Sequence, residues 1–308
     1  MSNKKLIEKY KQYLNALKIN NYIKTIVFNN RQIRLLKNIL ERWYIIKLNP
    51  NDNKADNFFI ESIKIKELNY LDPTVLENIK NIELEINNIP EKILIEKYFD
   101  DKITVLKYGE YTFKFPKYRY DILSKTGSDE EILIAAMSYD NIFAGFRQYA
   151  IHVSYHEKQV KRGVNVEGFA SCFNAQIMRL GNYEFCSMLP ENEKVFGCIG
   201  SFFDVSFKNK FVECAPPKVE QIIILCFNKC INEMNNYYCR FILLVPNWLD
   251  MPYIKMLDNE EFVKKYKIET TLFRKKTLIA EDFTTGENLD AIPEDFIEIY
   301  MESALPPI

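Results

Sequence analysis

No stretch of this sequence approaches the ~18 consecutive apolar residues of a membrane-crossing helix. Its opening residues, Met1-Ser2-Asn3-Lys4-Lys5, have no apolar signal core. The expectation is a soluble, cytoplasmic chain with no membrane partner. There is no GxGxxG and no Walker loop, so neither the standard dinucleotide fingerprint nor a P-loop ATPase is supported. Internal repeats and low-complexity tracts are absent as well. The formal net charge is only −1, so no global field announces a polyanionic partner. Histidine occurs twice, at His152 and His156, but Glu157 is misplaced for a zinc-protease helix and no third ligand accompanies the pair. The seven cysteines show no metal-finger spacing. Their odd number and scatter suit core packing in a reducing compartment, and Cys226 and Cys230, four apart on one helix face, read as buried core. No metal is expected.

What is present is ample apolar material, 47% of 308 residues, enough for one large domain or two ordinary ones. Charge is unevenly spread. Residues 1–50 carry eleven Lys and Arg against Glu8 and Glu41, a local net of +9 that leaves the remainder at −10. Arg31, Arg34 and Lys37 are the candidates for contacting RNA phosphates there, the alternative being a solvated helix face.

Helical spacing of Leu6, Ile7, Tyr10, Leu14 and Leu17, and again of Ile33, Leu36, Ile39, Leu40 and Trp43, argues an α-rich beginning. Residues 103–115 read as a hairpin around Tyr108-Gly109-Glu110. The run Lys114-Phe115-Pro116-Lys117-Tyr118-Arg119-Tyr120 interleaves cations with aromatics, a mixture suited to stacking bases and equally ordinary at a strand end. Ser128 and Glu131 form a capping box that opens helical patterning as far as Lys161, and Gly163 closes it. An α-rich domain over 1–162 followed by an α/β domain over 163–308 is the expected organisation. In the second part, short strand and helix signals alternate (166–170, 173–179, 202–205, 219–234, 241–245, 261–267, 271–279, 296–301), which argues a parallel-type sheet covered by helices.

The stretch with most chemical meaning is Phe211-Val212-Glu213-Cys214-Ala215-Pro216-Pro217-Lys218, an extended run broken by a double proline before a long apolar helix. Enzymes of the α/β class place chemistry at such a strand end. Three segments precede it, Glu167-Gly168-Phe169-Ala170-Ser171-Cys172-Phe173-Asn174, Phe185-Cys186-Ser187-Met188-Leu189-Pro190 and Phe196-Gly197-Cys198-Ile199-Gly200-Ser201-Phe202-Phe203-Asp204. Phe241-Ile242-Leu243-Leu244-Val245-Pro246-Asn247-Trp248 follows it. As an ordered set these resemble the phosphorylated-CTD-interacting factor family, the cap-specific adenosine N6-methyltransferases, over roughly residues 160–302. The family's WW module has no counterpart, since Trp43 and Trp248 are the sole tryptophans and lack WW spacing.

The resemblance implies a Rossmann-like fold that uses S-adenosylmethionine, with Glu167, Phe169, Ala170, Ser171, Asn174 and Asp204 near the cofactor and capped mRNA as substrate. Two departures matter most, and both lie in the 211–218 stretch: where the family has Asn-Pro-Pro-Phe, this chain has Ala215-Pro216-Pro217-Lys218. A family proline is also missing at Cys172. The exocyclic adenine amine is a poor nucleophile, and the motif's Asn oxygen and a proline carbonyl accept its protons while the aromatic ring stacks on the base. Ala215 offers no such acceptor and Lys218 adds only donors. The expectation is a catalytically degenerate member, an RNA- or cap-binding or regulatory subunit beside a capping or methyltransferase partner. An active enzyme using a displaced acceptor such as Glu213, and a structural interaction module, are the alternatives. The Lys-, Asn-, Ile- and Tyr-rich composition suits an A+T-rich genome, and a viral self-supplied capping system fits it.

Overall fold

The computed structural model describes residues 94–305 except 110, 144–147, 182, 183 and 284, together with positions 7, 10, 11, 14, 18, 77, 78, 81, 84 and 85. Arg31, Arg34 and Lys37, the helix expected over 31–46 and the α-rich character of residues 1–162 as a whole lie outside the described residues. The described positions near the start are helical, and Ile7, Tyr10 and Leu14 are buried, the one-face stripe that their spacing calls for.

Three strands come first, β1 (Ile95–Phe99), β2 (Ile103–Tyr108) and β3 (Tyr111–Pro116), side by side in that order. The turn between β2 and β3 needs glycine, because Gly109 has φ +61° and a Cβ there would lie 2.0 Å from the Tyr10 hydroxyl. Helix α1 (Lys117–Leu123) and helix α2 (Asp129–Phe143) follow. The capping box is formed as read: Ser128 N–H donates to Glu131 Oε2 (2.8 Å) and Glu131 N–H to Ser128 Oγ (3.3 Å). By packing, the chain divides into two units. One comprises residues 1–97, 106–113 and 128–146, and the other 98–105, 114–127 and 147–308. Helix α3 (Val153–Lys161), on the N-terminal side of the boundary expected at 163, falls in the second unit.

The second unit is an α/β sheet. After β4 (Tyr149–Ile151) and α3 come β5 (Val166–Glu167), β6 (Glu184–Cys186), β7 (Cys198–Gly200) and β8 (Phe211–Cys214). Then follow α4 (Glu220–Asn236), β9 (Arg240–Pro246), β10 (Glu269–Phe273), β11 (Ile279–Asp282), β12 (Glu287–Ala291) and β13 (Phe296–Glu302). Seven strands lie in the order β7-β6-β5-β8-β9-β13-β10, and β4, β11 and β12 form a separate small sheet. Strands β5 to β9 are mutually parallel. Strand β13 is antiparallel to β9, and β10 to β13, so the sheet is mixed rather than purely parallel.

The run of parallel strands begins in the middle with β5, moves one way through β6 and β7, then crosses back to β8 and β9. This is the doubly wound pattern, compatible with a Rossmann-like fold, and its switch point lies between β5 and β8. Of the alternating signals, 202–205 is a turn after β7, and 173–179 is a turn and a 3-10 helix (Ile177–Arg179) after β5. These short segments carry aromatic residues because they pack, not because they extend.

Strands β8 and β9 are apolar almost throughout because both faces are covered, which erases the alternation of a half-exposed strand. Helix α4 turns Ile223, Cys226, Phe227, Cys230 and Met234 inward at helical spacing, into a core that includes Val212, Phe241, Leu243 and Val245. Leu243 is fully buried in the sheet's interior. Leu243→Ala is therefore expected to cost about 2–5 kcal/mol, read as a lower urea midpoint with unchanged slope.

Candidate functional site

A ligand of a doubly wound sheet binds outside the carboxyl ends of its strands where the strand order reverses. Here that crevice is bounded by the turn after β5 and the turn after β8, the two stretches with most chemical meaning in the sequence. Gly168 sits at a close approach of these two turns. Its N–H donates to the Glu213 carbonyl (2.6 Å), and a Cβ would lie 3.0 Å from Phe202, 3.1 Å from Cys214 Sγ and 3.1 Å from the Glu213 oxygen.

The structure brings some of the expected cofactor residues together and sets others apart. Phe169 is half-buried and its ring meets Phe202 (4.6 Å between centroids) and Phe203 (5.9 Å), while Asp204 ends the same turn with its side chain exposed. Ala170 is half-buried beside them. Ser171 and Asn174 spend their polar atoms on the loop itself. Ser171 N–H donates to Asn174 Oδ1 (2.7 Å), Ser171 Oγ donates to Gln148 Oε1 (2.8 Å), and Asn174 Nδ2 donates to the Tyr149 carbonyl (3.0 Å). Glu193, which the sequence reading missed, is fully buried and accepts from Cys172 N–H (2.5 Å) and Ser187 Oγ (2.8 Å), tying the β5 turn to the β6 turn. Glu167 does not face the crevice: it is buried, and its Oε2 accepts from Ile177 N–H (3.1 Å).

At the β8 end, Ala215 packs with Tyr155, Leu244, Leu278 and Phe296. Pro216 is buried and Pro217 exposed. Lys218 ion-pairs with Glu294, and its ammonium lies 5.7 Å over the Phe296 ring. Glu213, considered above as a displaced proton acceptor, is fully buried and hydrogen-bonded to His156 Nδ1 (3.0 Å). The cation–aromatic run at 114–120 is also used internally. Phe115 stacks on Phe173 (5.6 Å), Tyr118 donates to Glu281 (2.5 Å), and fully buried Arg119 donates to the Ala175 carbonyl (3.0 Å). Packing, rather than base stacking, explains that mixture.

The least expected feature is a buried charge cluster beneath the switch point. Glu167 and Glu213 are register partners on β5 and β8. His156 reaches them from α3, the helix that His152 caps by accepting from Ser154 N–H (3.3 Å). Burial works against a charged His156, but Glu213 and Glu167 outweigh it and lift its pKa to about 9. Burial, then Glu213, raises Glu167 to about 7 against the opposing pull of His156. His156 Nε2 and Glu213 Oε1 are buried without a hydrogen-bond partner among the described residues. Further along α3, Tyr155 Oη (2.9 Å), Gln159 Nε2 (2.8 Å) and Arg162 Nη1 (2.6 Å) all donate to Glu298 on β13. The available sequence signal was weak: ionisable residues at 156, 167, 213 and 298 interrupt otherwise apolar patterns.

Strand order and register define the class as a doubly wound α/β domain, compatible with a Rossmann-like fold, whose order reverses between β5 and β8. Residues 127–278 match the family model described as Phosphorylated CTD interacting factor 1 WW domain, so over that segment the chain is similar to that family. The matched segment contains Trp248 alone of the two tryptophans and spans much of the α/β sheet, so the match concerns that sheet region. No curated protein matches the chain.

The charge cluster sets a pH dependence. Both shifted groups bind protons more tightly when folded, so stability is lost as pH rises, from 4.5 through about 7 for Glu167 and from 6.5 through about 9 for His156. The melting temperature is expected to fall steadily between pH 6 and pH 9 by roughly 5 °C or more. His156→Gln should lower it at pH 6 and flatten the dependence above pH 7. Glu213→Ala, which leaves the imidazolium buried and unpaired, should cost about 3–5 kcal/mol in denaturant unfolding at pH 7.

Proposed function

We propose that this chain is a non-catalytic relative of the cap-specific adenosine N6-methyltransferases, retaining the sheet to hold capped mRNA beside a capping or methyltransferase partner. The carrying observation is the state of the 215–218 turn. Ala215 is packed into an apolar cluster, and Lys218 is turned to Glu294 and Phe296. The turn thus offers neither a side-chain acceptor for an amine proton nor a ring for a base. Losing one preorganised polar contact of this kind costs ~10²–10³ in rate, and losing a stacking platform costs a further ~1–3 kcal/mol.

S-adenosylmethionine fits the crevice in part. Phe169 offers a ring and exposed Asp204 an acceptor for ribose hydroxyls, whereas Glu167, Ser171 and Asn174 are committed to the protein's own backbone and side chains. When bound, this cofactor would supply a methyl group on a sulfonium. An active enzyme is the second reading, favoured by the intact turn at 168–174 and by the exposed Pro217 beside the crevice. Arg31, Arg34 and Lys37 are proposed to meet RNA phosphates.

Calorimetric titration of S-adenosylmethionine and of a 7-methylguanosine-capped oligonucleotide, followed by a methyl-transfer assay, tests the reading. The expected result is cap-dependent RNA binding without methyl transfer. The R31A/R34A/K37A variant should bind more weakly, with a slope of log K against log salt reduced by up to ~2–3. Methylation of capped RNA at a rate lowered by Pro217→Ala would overturn it in favour of the enzyme. Failure to bind either ligand would leave the fold as an interaction module.

A further inference from the structure

Cys214 is separated in sequence from Cys226 and Cys230 but lies beside them in space. Cys214 is the last residue of β8, and Cys226 and Cys230 lie one turn apart on the inward face of α4. Their three Sγ atoms all lie within 4.8 Å of one another, and all three residues are fully buried. We propose that they form a binding site for one thiophilic d10 metal ion, held by three thiolates at the foot of the switch-point crevice.

The geometry needs little adjustment. With metal–sulfur bonds of about 2.3 Å, a trigonal arrangement sets sulfurs about 4 Å apart, so the thiols close by less than ~1 Å on binding. The donor set is purely sulfur, which selects soft ions over magnesium or calcium. Among the described residues no further His, Cys, Asp or Glu joins the group. Zinc would thus lack the fourth ligand of its structural sites, whereas copper(I) is satisfied by three. The surroundings are apolar, with Ile223, Phe227 and Phe202 in the same cluster. Each thiol that becomes a thiolate releases its proton to solvent, so affinity weakens as pH falls. Cys214 Sγ lies against Gly168, where a Cβ would come within 3.1 Å of it. The bound ion would therefore be a staple joining β8 to α4 beneath the β5 turn. The competing role, cysteine as a small core-filling hydrophobe, requires no ion. This site is independent of RNA binding.

Full-length protein, purified without oxygen, would be titrated with copper(I) against a chromophoric chelator, and separately with zinc(II). The expected result is one equivalent of copper(I), a near-ultraviolet thiolate charge-transfer band and a melting temperature raised by several degrees. Cys226→Ala and Cys230→Ala should each abolish all three signals, while C186A/C198A should keep them, excluding capture by unfolded thiols. Should the alanine variants not fold, Cys230→Ser conserves size while removing the soft donor. No uptake of either ion, or uptake unchanged in the Cys226 and Cys230 variants, overturns the site. One equivalent of zinc in preference to copper overturns the three-coordinate assignment.

Discussion

Two carboxylates side by side in a buried sheet repel each other and lose their hydration, a penalty of several kcal/mol for each ionised group. Glu167 and Glu213 occupy such positions on β5 and β8, at the point where the strand order reverses. The arrangement stands because His156 brings a cation from α3 to Glu213, and because Glu167 takes the Ile177 N–H. Helix α3 is consequently more than a cover for the sheet. Its buried face carries Tyr155, His156 and Gln159, and these with Arg162 dock it on β8 and β13 through Glu213 and Glu298. A slip of this helix by one residue would strand both carboxylates. The polar contacts therefore specify its register in a way that apolar packing does not.

The same economy governs the crevice above. Polar side chains that a methyltransferase-like site would present to a ligand are spent on holding loops. Ser171 and Asn174 close their own turn, Glu193 ties two turns together, and Lys218 leans on Glu294. Near these turns, Phe203, Asp204 and Pro217 stay exposed and Phe169 half-buried.

The ordered motifs at 167–174, 185–190, 196–204 and 241–248 were legible as short local runs in a fixed order along the chain. The capping box at Ser128 and Glu131 and the turn at Gly109 were legible because each is a local device, settled within four residues. The signal at 202–205 is not a regular element, since Phe202 and Phe203 pack as a turn against Phe169.

Local pattern by itself determined the α/β class, the proline-broken end of β8, the long helix after it and the Ala-Pro-Pro-Lys departure. Tertiary structure alone decided what those residues touch. Glu213 reads as a candidate acceptor in the sequence and is a buried partner of His156, 57 residues away. Arg119 reads as a base-stacking cation and is fully buried beneath Phe283, 5.1 Å from its ring. Cys214 reads as an ordinary core cysteine and meets Cys226 and Cys230 across a strand–helix interface. The physical reason is common to all three. Periodicity records which face of an element is apolar, whereas charge pairing and metal-ligand geometry depend on which faces the crossovers bring together.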